Sequence, residues 1–219
     1  MARMARASVG GVCYHVLNRG NARAEVFHKD GDYAAFVQLL IDVHDYVAMR
    51  VLSYCLMPNH FHLVLWPRED GDLSRAMQWL TTSHVRRYHA HYGGSGHVWQ
   101  GRFKAFPIQQ DEHLLAVLRY VERNPLRANL VKEADRWPWS SLTSRHAEPW
   151  LAAWPIARPR DWRRRVQQPQ NPVEEAALRH SVVRGPPNGD ARWPRRTAAR
   201  LGLQSTLRPR GRPRKRPKK

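Results

Sequence analysis

Cysteine and long apolar runs are scarce in this sequence. Only Cys13 and Cys55 occur among 219 residues, too few for a framework of disulfides, so we expect a reducing compartment. No run of about 18 apolar residues is present, and the N-terminal residues lead to Gly10 and Gly11 rather than to the apolar stretch of a signal peptide. The sequence therefore predicts a cytoplasmic protein that has no membrane partner.

Acidic residues are also scarce, because 18 Asp and Glu are set against 37 Lys and Arg, which gives a formal net charge of +19. The imbalance is concentrated in residues 155–219, which hold 19 of the basic residues and 4 of the acidic ones. Since each cation that neutralises a phosphate releases condensed counterions, this charge predicts binding to nucleic acid. The alternative is a solvated tail that binds nothing specific and whose arginine count reflects a GC-rich coding bias.

A phosphate-binding loop of the nucleotide-hydrolysing enzymes is absent as well. The glycine-rich segment of residues 93–96 lacks the Gly-Lys-Ser or Gly-Lys-Thr that would hold the phosphates of a nucleotide. The sequence therefore gives no support for an enzyme driven by nucleotide hydrolysis.

The hydrophobic pattern predicts the element order β-α-ββ-α-β-α. Strands are expected at residues 12–18, 47–57, 60–66 and 98–109. Helices are expected to begin at the capping residues Asp30, Asp72 and Asp111. This order is typical of a mixed α+β domain in which helices pack on an antiparallel sheet.

The composition changes at about residue 155. The segment beyond it holds 10 of the 16 prolines and several runs of arginine. Because low apolar density with high charge cannot offset the entropy of ordering, we expect residues 155–219 to be a largely disordered basic tail, with a short helix over residues 173–183. Residues 1–154 are then the folded domain.

His60 and His62 lie two residues apart on the second strand of the predicted hairpin, so both side chains point to the same face of the sheet. Neutral imidazole is a good ligand for divalent transition metals, and two rings from one strand leave coordination positions open for substrate oxygens. Phe61 and Leu63 would face the core. Because chance or core packing also explains an isolated pair of histidines, the motif is informative only with a third ligand and a nucleophile.

The third predicted helix supplies Tyr120 and Asn124, which are four residues apart and so share a face. The phenol hydroxyl and the amide oxygen could converge there on the same ion, and a metal that binds phosphate oxygens would assist attack of the phenolate on phosphorus. A structural interpretation stays open, in which Tyr120 lies at the edge of an amphipathic stripe and Asn124 ends the helix before Pro125.

Four motifs resemble, in the same order, those of the single-tyrosine HUH transposases and particularly the REP-associated tyrosine transposases. They are MPNHFHLV (residues 57–64), WQGRF (99–103), YVERNPLRA (120–128) and WPWSS (137–141). The resemblance covers residues 10–145. Several ordered motifs are far more specific than any one of them, so the resemblance favours the functional interpretation of the histidines and the tyrosine.

The resemblance implies a ferredoxin-like α+β fold and an enzyme that cuts and rejoins single-stranded or hairpin DNA, with repetitive palindromic elements as substrate. It implies a 5′-phosphotyrosine intermediate on Tyr120, and a divalent metal, Mg²⁺ or Mn²⁺, on His60 and His62. Asn124 stands where relatives have a polar third ligand, although the family varies at that position. Residues 1–154 would be the catalytic domain of a nucleoid-associated bacterial protein, either a monomer or a homodimer.

Three residues near the predicted fourth strand are candidates for contact with DNA. Arg102 and Lys104 could bind phosphates, and the indole of Trp99 could stack on a base. Trp99 could equally belong to the core.

The C-terminal segment of residues 209–215 resembles an AT-hook. In such a motif, Gly211 between Arg210 and Arg212 would let the backbone approach the floor of a narrow minor groove. The alternative for this segment is plain electrostatic attraction to DNA.

Three other functions were weighed against this one. A domesticated DNA-binding protein would keep the basic surface without transposition activity. A structural zinc module would need Cys13, His15 and Cys55 to join the histidines, although the full set is spread over several elements. A relaxase or replication initiator usually needs more chain for further domains.

Overall fold

The computed structural model describes residues 8–144 and 149–208. Its strands are β1 (Cys13–Arg19), β2 (Arg50–Met57), β3 (His60–Trp66) and β4 (Lys104–Ile108). The helices are α1 (Asp30–Val47), α2 (Asp72–Tyr92), α3 (Glu112–Glu122), α4 (Asn124–Arg127), α5 (Ser141–Ser144), α6 (Trp162–Gln167), α7 (Pro172–Arg184) and α8 (Trp193–Arg200). Short 3-10 helices cover Asn21–Arg23, Ala134–Arg136 and Gln204–Leu207. The predicted order from β1 to α3 is confirmed.

The strands form one antiparallel sheet in the order β2-β3-β1-β4. β2 and β3 are joined by the two-residue turn at Pro58 and Asn59, and β3 lies between β1 and β2. β1, α1 and β2 follow one another in the chain, and β3 lies antiparallel between the two strands in the sheet. This is the split β-α-β arrangement of ferredoxin-like folds. The predicted α+β class is confirmed.

The alternation of side chains along the strands divides the core into two layers. On one face of the sheet, Tyr14, Phe61 and Leu63 pack with apolar residues of α1 and α2. On the other face, Cys13 and Val64 pack with apolar residues of α3, α6 and α7. Since residues two apart on a strand share a face, His60 and His62 belong to the layer beneath α3.

Of the three predicted helix caps, one is confirmed and two are wrong. Asp111 caps α3, because its side chain accepts a hydrogen bond from the backbone N–H of His113. The predictions for Asp30 and Asp72 are wrong, since α1 and α2 begin at these residues and their N-caps are Lys29 and Gly71. A carboxylate inside the first turn can still reach a preceding N–H, and that of Asp72 accepts from the backbone of Glu69.

The fourth strand is shorter than predicted. Residues 98–103 lie outside β4, although Trp99 forms an isolated bridge with Gly20. Gly101 adopts a φ of +140°, a conformation that interrupts the regular extended chain. The WQGRF segment is therefore a loop that leads into the sheet.

The end of the tyrosine helix also differs from the prediction. Helix α3 ends at Glu122, and Pro125 lies in the first turn of α4 instead of terminating α3. A proline is tolerated there because the first N–H groups of a helix have no partner within it.

The segment of residues 155–208 contains ordered helices, contrary to the prediction of disorder. It contains α6, α7 and α8, and α7 confirms the short helix expected over residues 173–183. The side chains of Trp162 and Val166 on α6 and of Leu178 on α7 are buried against the layer beneath α3. Composition averaged over the segment hides these apolar residues, of which Trp162 and Val166 are four apart and so share the buried face of α6. The AT-hook-like residues 209–215 lie outside the described residues.

Within the described ranges, no helix is long and apolar enough to span a bilayer.

Candidate active site

The two candidate metal ligands lie side by side at the start of β3. The ring centroids of His60 and His62 are 5.0 Å apart, with the ring planes at 83° to each other. His62 is buried, whereas His60 is partly exposed at the end of the strand. The pair therefore faces one common space, as the alternation of side chains predicts.

The Nδ1 atom of each ring is already engaged. Nδ1 of His60 lies 2.6 Å from Oδ1 of Asn59, and the orientation of that amide is set because its Nδ2 donates to the carbonyl of Arg23 at 3.1 Å. Nδ1 of His62 lies 2.8 Å from Nε2 of His15. Among the residues that the structure describes, neither Nε2 has a hydrogen-bond partner. Each ring thus has one nitrogen held and one available as a ligand.

Both rings are in the neutral form that binds metals. Burial, followed by the nearby Arg19 and Arg127, lowers the pKa of His60 to about 4. Burial is also the largest cause that lowers the pKa of His62 well below its ordinary range, with His15 as the next cause. Because an imidazole must be unprotonated to coordinate, the fold prepares both side chains for ligation near pH 7.

Tyr120 on α3 lies against His62 and against His15 of β1. The centroid of its ring is 5.9 Å from that of His62 and 6.1 Å from that of His15. The side chain is 5% exposed, and the guanidinium carbon of Arg127 lies 4.5 Å from the centre of the phenol ring. The strand pair and the helix therefore bring the phenol and the imidazoles together, as the functional interpretation requires.

A cleft of about 90 Å³ opens beside Tyr120. Its lining residues come from the tyrosine helix, the following turn and the start of α7: Tyr120, Arg123, Arg127, Pro169, Gln170 and Glu175. Two of the six carry guanidinium groups, so an anionic group that enters the cleft meets positive charge next to the phenol.

Asn124 is near Tyr120, but its amide has other partners. The Nδ2 group donates to the backbone carbonyl of Tyr120 at 3.0 Å, and Oδ1 accepts from Nη2 of Arg127 at 2.5 Å. This geometry does not favour Asn124 as the third metal ligand, because the oxygen that would coordinate the metal accepts a hydrogen bond from the guanidinium of Arg127. In the part of the chain that the structure describes, no group of three or more His, Cys, Asp or Glu side chains could hold a metal.

The donor set nevertheless fits a divalent metal with open positions. Two neutral imidazoles with free Nε2 atoms can bind a divalent metal, and oxygen ligands from substrate and water, which Mg²⁺ and Mn²⁺ prefer, would complete the shell. The zinc alternative fails, because Cys13, His15 and Cys55 do not form a ligand cluster. Burial also raises the pKa of Cys13 to about 12, which keeps that thiol protonated.

The protein family follows from comparison with known proteins. The model of a family described as IS200-like transposase matches residues 8–124. The chain belongs to this family. It is thus a DNA-processing enzyme, and the resemblance predicted from the four motifs is confirmed at the level of the family.

Two relatives of this transposase agree with that assignment. The REP-associated tyrosine transposase of Escherichia coli K12 is 23% identical over 133 residues, which cover 61% of this chain and 77% of the relative. A solved structure of a REP-associated tyrosine transposase bound to a REP hairpin has a TM-score of 0.54 at 20% identity and covers 73% of this chain and 96% of its own. The likeness to the solved structure shows a shared fold.

Three residues to which the sequence analysis gave no role in the transposase site shape that site. Glu122 is completely buried two residues before Asn124, and its Oε1 accepts a hydrogen bond of 2.7 Å from the hydroxyl of Ser141. Arg127 bridges Tyr120 and Asn124, and His15 contacts His62. The position of Glu122 and Arg127 within the YVERNPLRA motif was the available signal, whereas His15 was a candidate only for the zinc alternative.

The candidates for DNA contact separate into exposed and buried residues. Arg102 and Lys104 are exposed before and at the start of β4. Trp99 is 5% exposed and packs on Phe61 and His84, with ring centroids 5.1 Å and 5.0 Å away. Of the two alternatives for Trp99, the structure favours the core position over the stacking platform.

Proposed function

We propose that this transposase cuts and rejoins single-stranded or hairpin DNA, with Tyr120 as the nucleophile and His60 and His62 as ligands of a divalent metal, Mg²⁺ or Mn²⁺. The observation that carries the proposal is the contact of the Tyr120 ring with the imidazole of His62, which itself lies beside the imidazole of His60. A purely structural tyrosine or histidine pair would not require this combination.

The proposed chemistry is a reversible transesterification. The phenol oxygen of Tyr120 loses its proton to solvent and forms a bond to phosphorus, while the bond from phosphorus to the 3′ oxygen breaks and that oxygen leaves as a hydroxyl after it takes a proton. The 5′-phosphotyrosine ester conserves the energy of the broken bond, so a free 3′-hydroxyl can rejoin the strand without nucleotide hydrolysis. When bound, the metal would stabilise charge on the non-bridging phosphate oxygens.

Basic side chains around the site would hold the DNA backbone. Arg127 lies over the phenol ring, and the exposed Arg19 pairs with His60 across β1 and β3. Arg102 and Lys104 are further exposed basic side chains, in the loop before β4 and at its first residue. Phosphate contacts position a strand without reading its sequence, so these residues account for affinity and not for choice of target.

Repetitive palindromic hairpins are the proposed substrate class. The name of the Escherichia coli relative and the hairpin bound in the solved relative support this choice. The tail beyond residue 208 would add DNA affinity, either through Arg210, Gly211 and Arg212 in a minor groove or by charge alone. Such binding would associate the protein with the nucleoid, and both the monomer and the homodimer fit the proposal.

The proposal is tested with purified protein and a labelled hairpin oligonucleotide that carries a single-stranded flank. With Mn²⁺ or Mg²⁺, the wild type should release one fragment and stay attached to the other through a bond that survives denaturing electrophoresis. Tyr120→Phe should abolish the adduct, while Tyr46→Phe, at an exposed tyrosine on α1, should not. His60→Ala and His62→Ala should lose cleavage and keep DNA binding.

Two outcomes would count against the proposal. An adduct that persists in Tyr120→Phe would show that another residue is the nucleophile. Specific hairpin binding without any cleavage, in the presence of either metal, would identify the protein as the domesticated DNA-binding protein weighed as the alternative.

A further inference from the structure

His15 is a buried histidine on β1 with no assigned task. It is completely inaccessible, and its ring is stacked on that of His62 with centroids 5.0 Å apart. Its Nε2 lies 2.8 Å from Nδ1 of His62. Since the strands pair in fixed register, with His15 opposite Val64 and Leu17 opposite His62, the sheet itself holds the two rings together.

The other nitrogen of His15 has no partner. Nδ1 is buried and makes no hydrogen bond within the described part of the chain. A buried polar group without a partner costs stability, and most proteins avoid it. An apolar residue of similar size would remove that cost, so the presence of histidine at this position calls for a function.

Two arrangements of protons satisfy the contact between His15 and His62. If His15 donates, the proton of the neutral His62 ring lies on Nε2, and that nitrogen cannot coordinate a metal. If His62 donates from Nδ1, its Nε2 carries a free lone pair. The neighbouring His60 shows the second pattern, because its Nδ1 can only donate to the amide oxygen of Asn59.

We propose that His15 is a positioning residue, whose Nε2 accepts the Nδ1–H of His62 and so fixes the tautomer of His62 in which Nε2 is free to bind the metal. The inference rests on the metal-dependent function proposed above. Metal-binding histidines commonly donate their second N–H to a fixed acceptor, and the loss of that acceptor lowers metal affinity. Here the acceptor is itself a histidine, and its Nδ1–H is left unpaired as the cost of the arrangement.

The tautomer is measured directly in the metal-free full-length protein. Two-bond proton–nitrogen NMR spectra of the ¹⁵N-labelled histidine rings distinguish a protonated Nδ1 from a protonated Nε2. We expect His62 to carry its proton on Nδ1 in the wild type. A proton on Nε2 of His62 would overturn the proposal, and this measurement needs no variant and no metal.

Substitution of His15 tests the consequence for metal binding. His15→Leu removes the acceptor and should weaken Mn²⁺ binding, measured by calorimetry, by about ten- to a hundred-fold. His15→Gln offers an amide oxygen in place of Nε2 and should recover most of the affinity. His84→Leu is the matched control, because His84 is also buried with an unpaired Nδ1 but lies in the layer of α1 and α2.

The outcomes separate the two proposals. Unchanged Mn²⁺ affinity in His15→Leu, together with a wild-type protein that binds the metal, would show that His15 does not position His62. A wild-type protein that binds no Mn²⁺ at all would instead contradict the proposed metal-dependent function, while the NMR spectrum of the metal-free protein would still decide the tautomer. The thermal unfolding of His15→Leu should stay close to that of the wild type, since the variant removes one unpaired buried nitrogen, Nδ1 of His15, but leaves Nδ1 of His62 without its partner.

Discussion

The indole Nε1 of Trp162 donates a hydrogen bond of 2.6 Å to Oε2 of Glu122. Both side chains are buried, and Glu122 also accepts from the hydroxyls of Ser53 and Ser141. This carboxylate therefore connects the tyrosine helix to β2, to the WPWSS motif and to the first helix after residue 155. The position of α3, and with it that of Tyr120, depends on a contact across 40 residues of chain.

Replacement of Trp162 should destabilise the protein through this contact. Trp162→Phe keeps an aromatic ring but removes the donor, which leaves one oxygen of a buried carboxylate with fewer partners. We expect the free energy of unfolding in urea to fall by about 1–3 kcal/mol. Trp150→Phe is the matched control, because Nε1 of Trp150 is also buried but has no hydrogen-bond partner among the described residues. An equal loss in both variants would show that ring packing and not the hydrogen bond is responsible.

The role of Asn124 can be separated from metal binding. Since Oδ1 of Asn124 is held by Arg127, Asn124→Ala should leave the affinity for Mn²⁺ unchanged while DNA cleavage slows by about tenfold through loss of an oriented guanidinium. Calorimetry with Mn²⁺ and single-turnover cleavage of the labelled hairpin measure the two effects. A loss of Mn²⁺ affinity as large as that of His60→Ala would restore Asn124 as the third ligand.

The stability of the protein should fall with acid in a defined range. Burial lowers the pKa of His84 from 6.5 to about 4 in the folded protein. Between these values the unfolded chain takes up a proton that folded His84 does not, so the contribution of this residue is fully present above pH 6.5 and is lost as the pH falls towards 4.

Substitution of His84 should therefore reduce the dependence of unfolding free energy on pH. His84→Leu removes a contribution of about 1.4 kcal/mol for each unit by which the two pKa values differ. Chemical unfolding at a series of pH values from 7 to 4 measures the change in slope, and the exposed His180→Gln on α7 serves as control. An unchanged slope in His84→Leu would show that this histidine is protonated without unfolding.

Removal of the last 11 residues should affect only DNA binding, whereas removal of everything after residue 154 should also affect stability. Removal of residues 209–219 deletes seven basic residues and should flatten the plot of log binding constant against log salt, by up to about 6 in slope, without loss of cleavage. Removal of everything after residue 154 should also destabilise the fold, because it takes Trp162, Val166 and Leu178 from the core. A chain of residues 1–154 as stable as the full protein would contradict the packing of α6 and α7.

Gly211→Ala distinguishes the two explanations for tail binding. If the segment enters a minor groove, the added methyl group should weaken binding to A·T-rich duplex DNA while the salt dependence stays the same. Electrophoretic mobility shifts with A·T-rich and G·C-rich duplexes of equal length make the comparison. Equal binding of both duplexes before and after the substitution would indicate plain electrostatic attraction.

The sequence by itself determined the features that depend on local periodicity and on charge. Alternation along residues 60–66 placed His60 and His62 on one face, helical spacing placed Tyr120 on a helix, and the order of elements predicted the α+β class. The Asp111 cap was also predictable, because it depends on contacts within one turn. Each of these follows from residues that are neighbours in the chain, so a short window of sequence contains the cause.

Only the tertiary structure decided which distant side chains meet. The partner of His62 is on β1, the partners of Glu122 are on β2, α5 and α6, and the amide of Asn124 is held by Arg127 rather than directed at the histidines. Trp99 became a core residue and residues 162–200 came to contain three packed helices for the same reason. These side chains become buried and hydrogen-bonded only when separate elements pack together. The resulting stabilisation depends on the assembled sheet and helices, so no short stretch of sequence contains it.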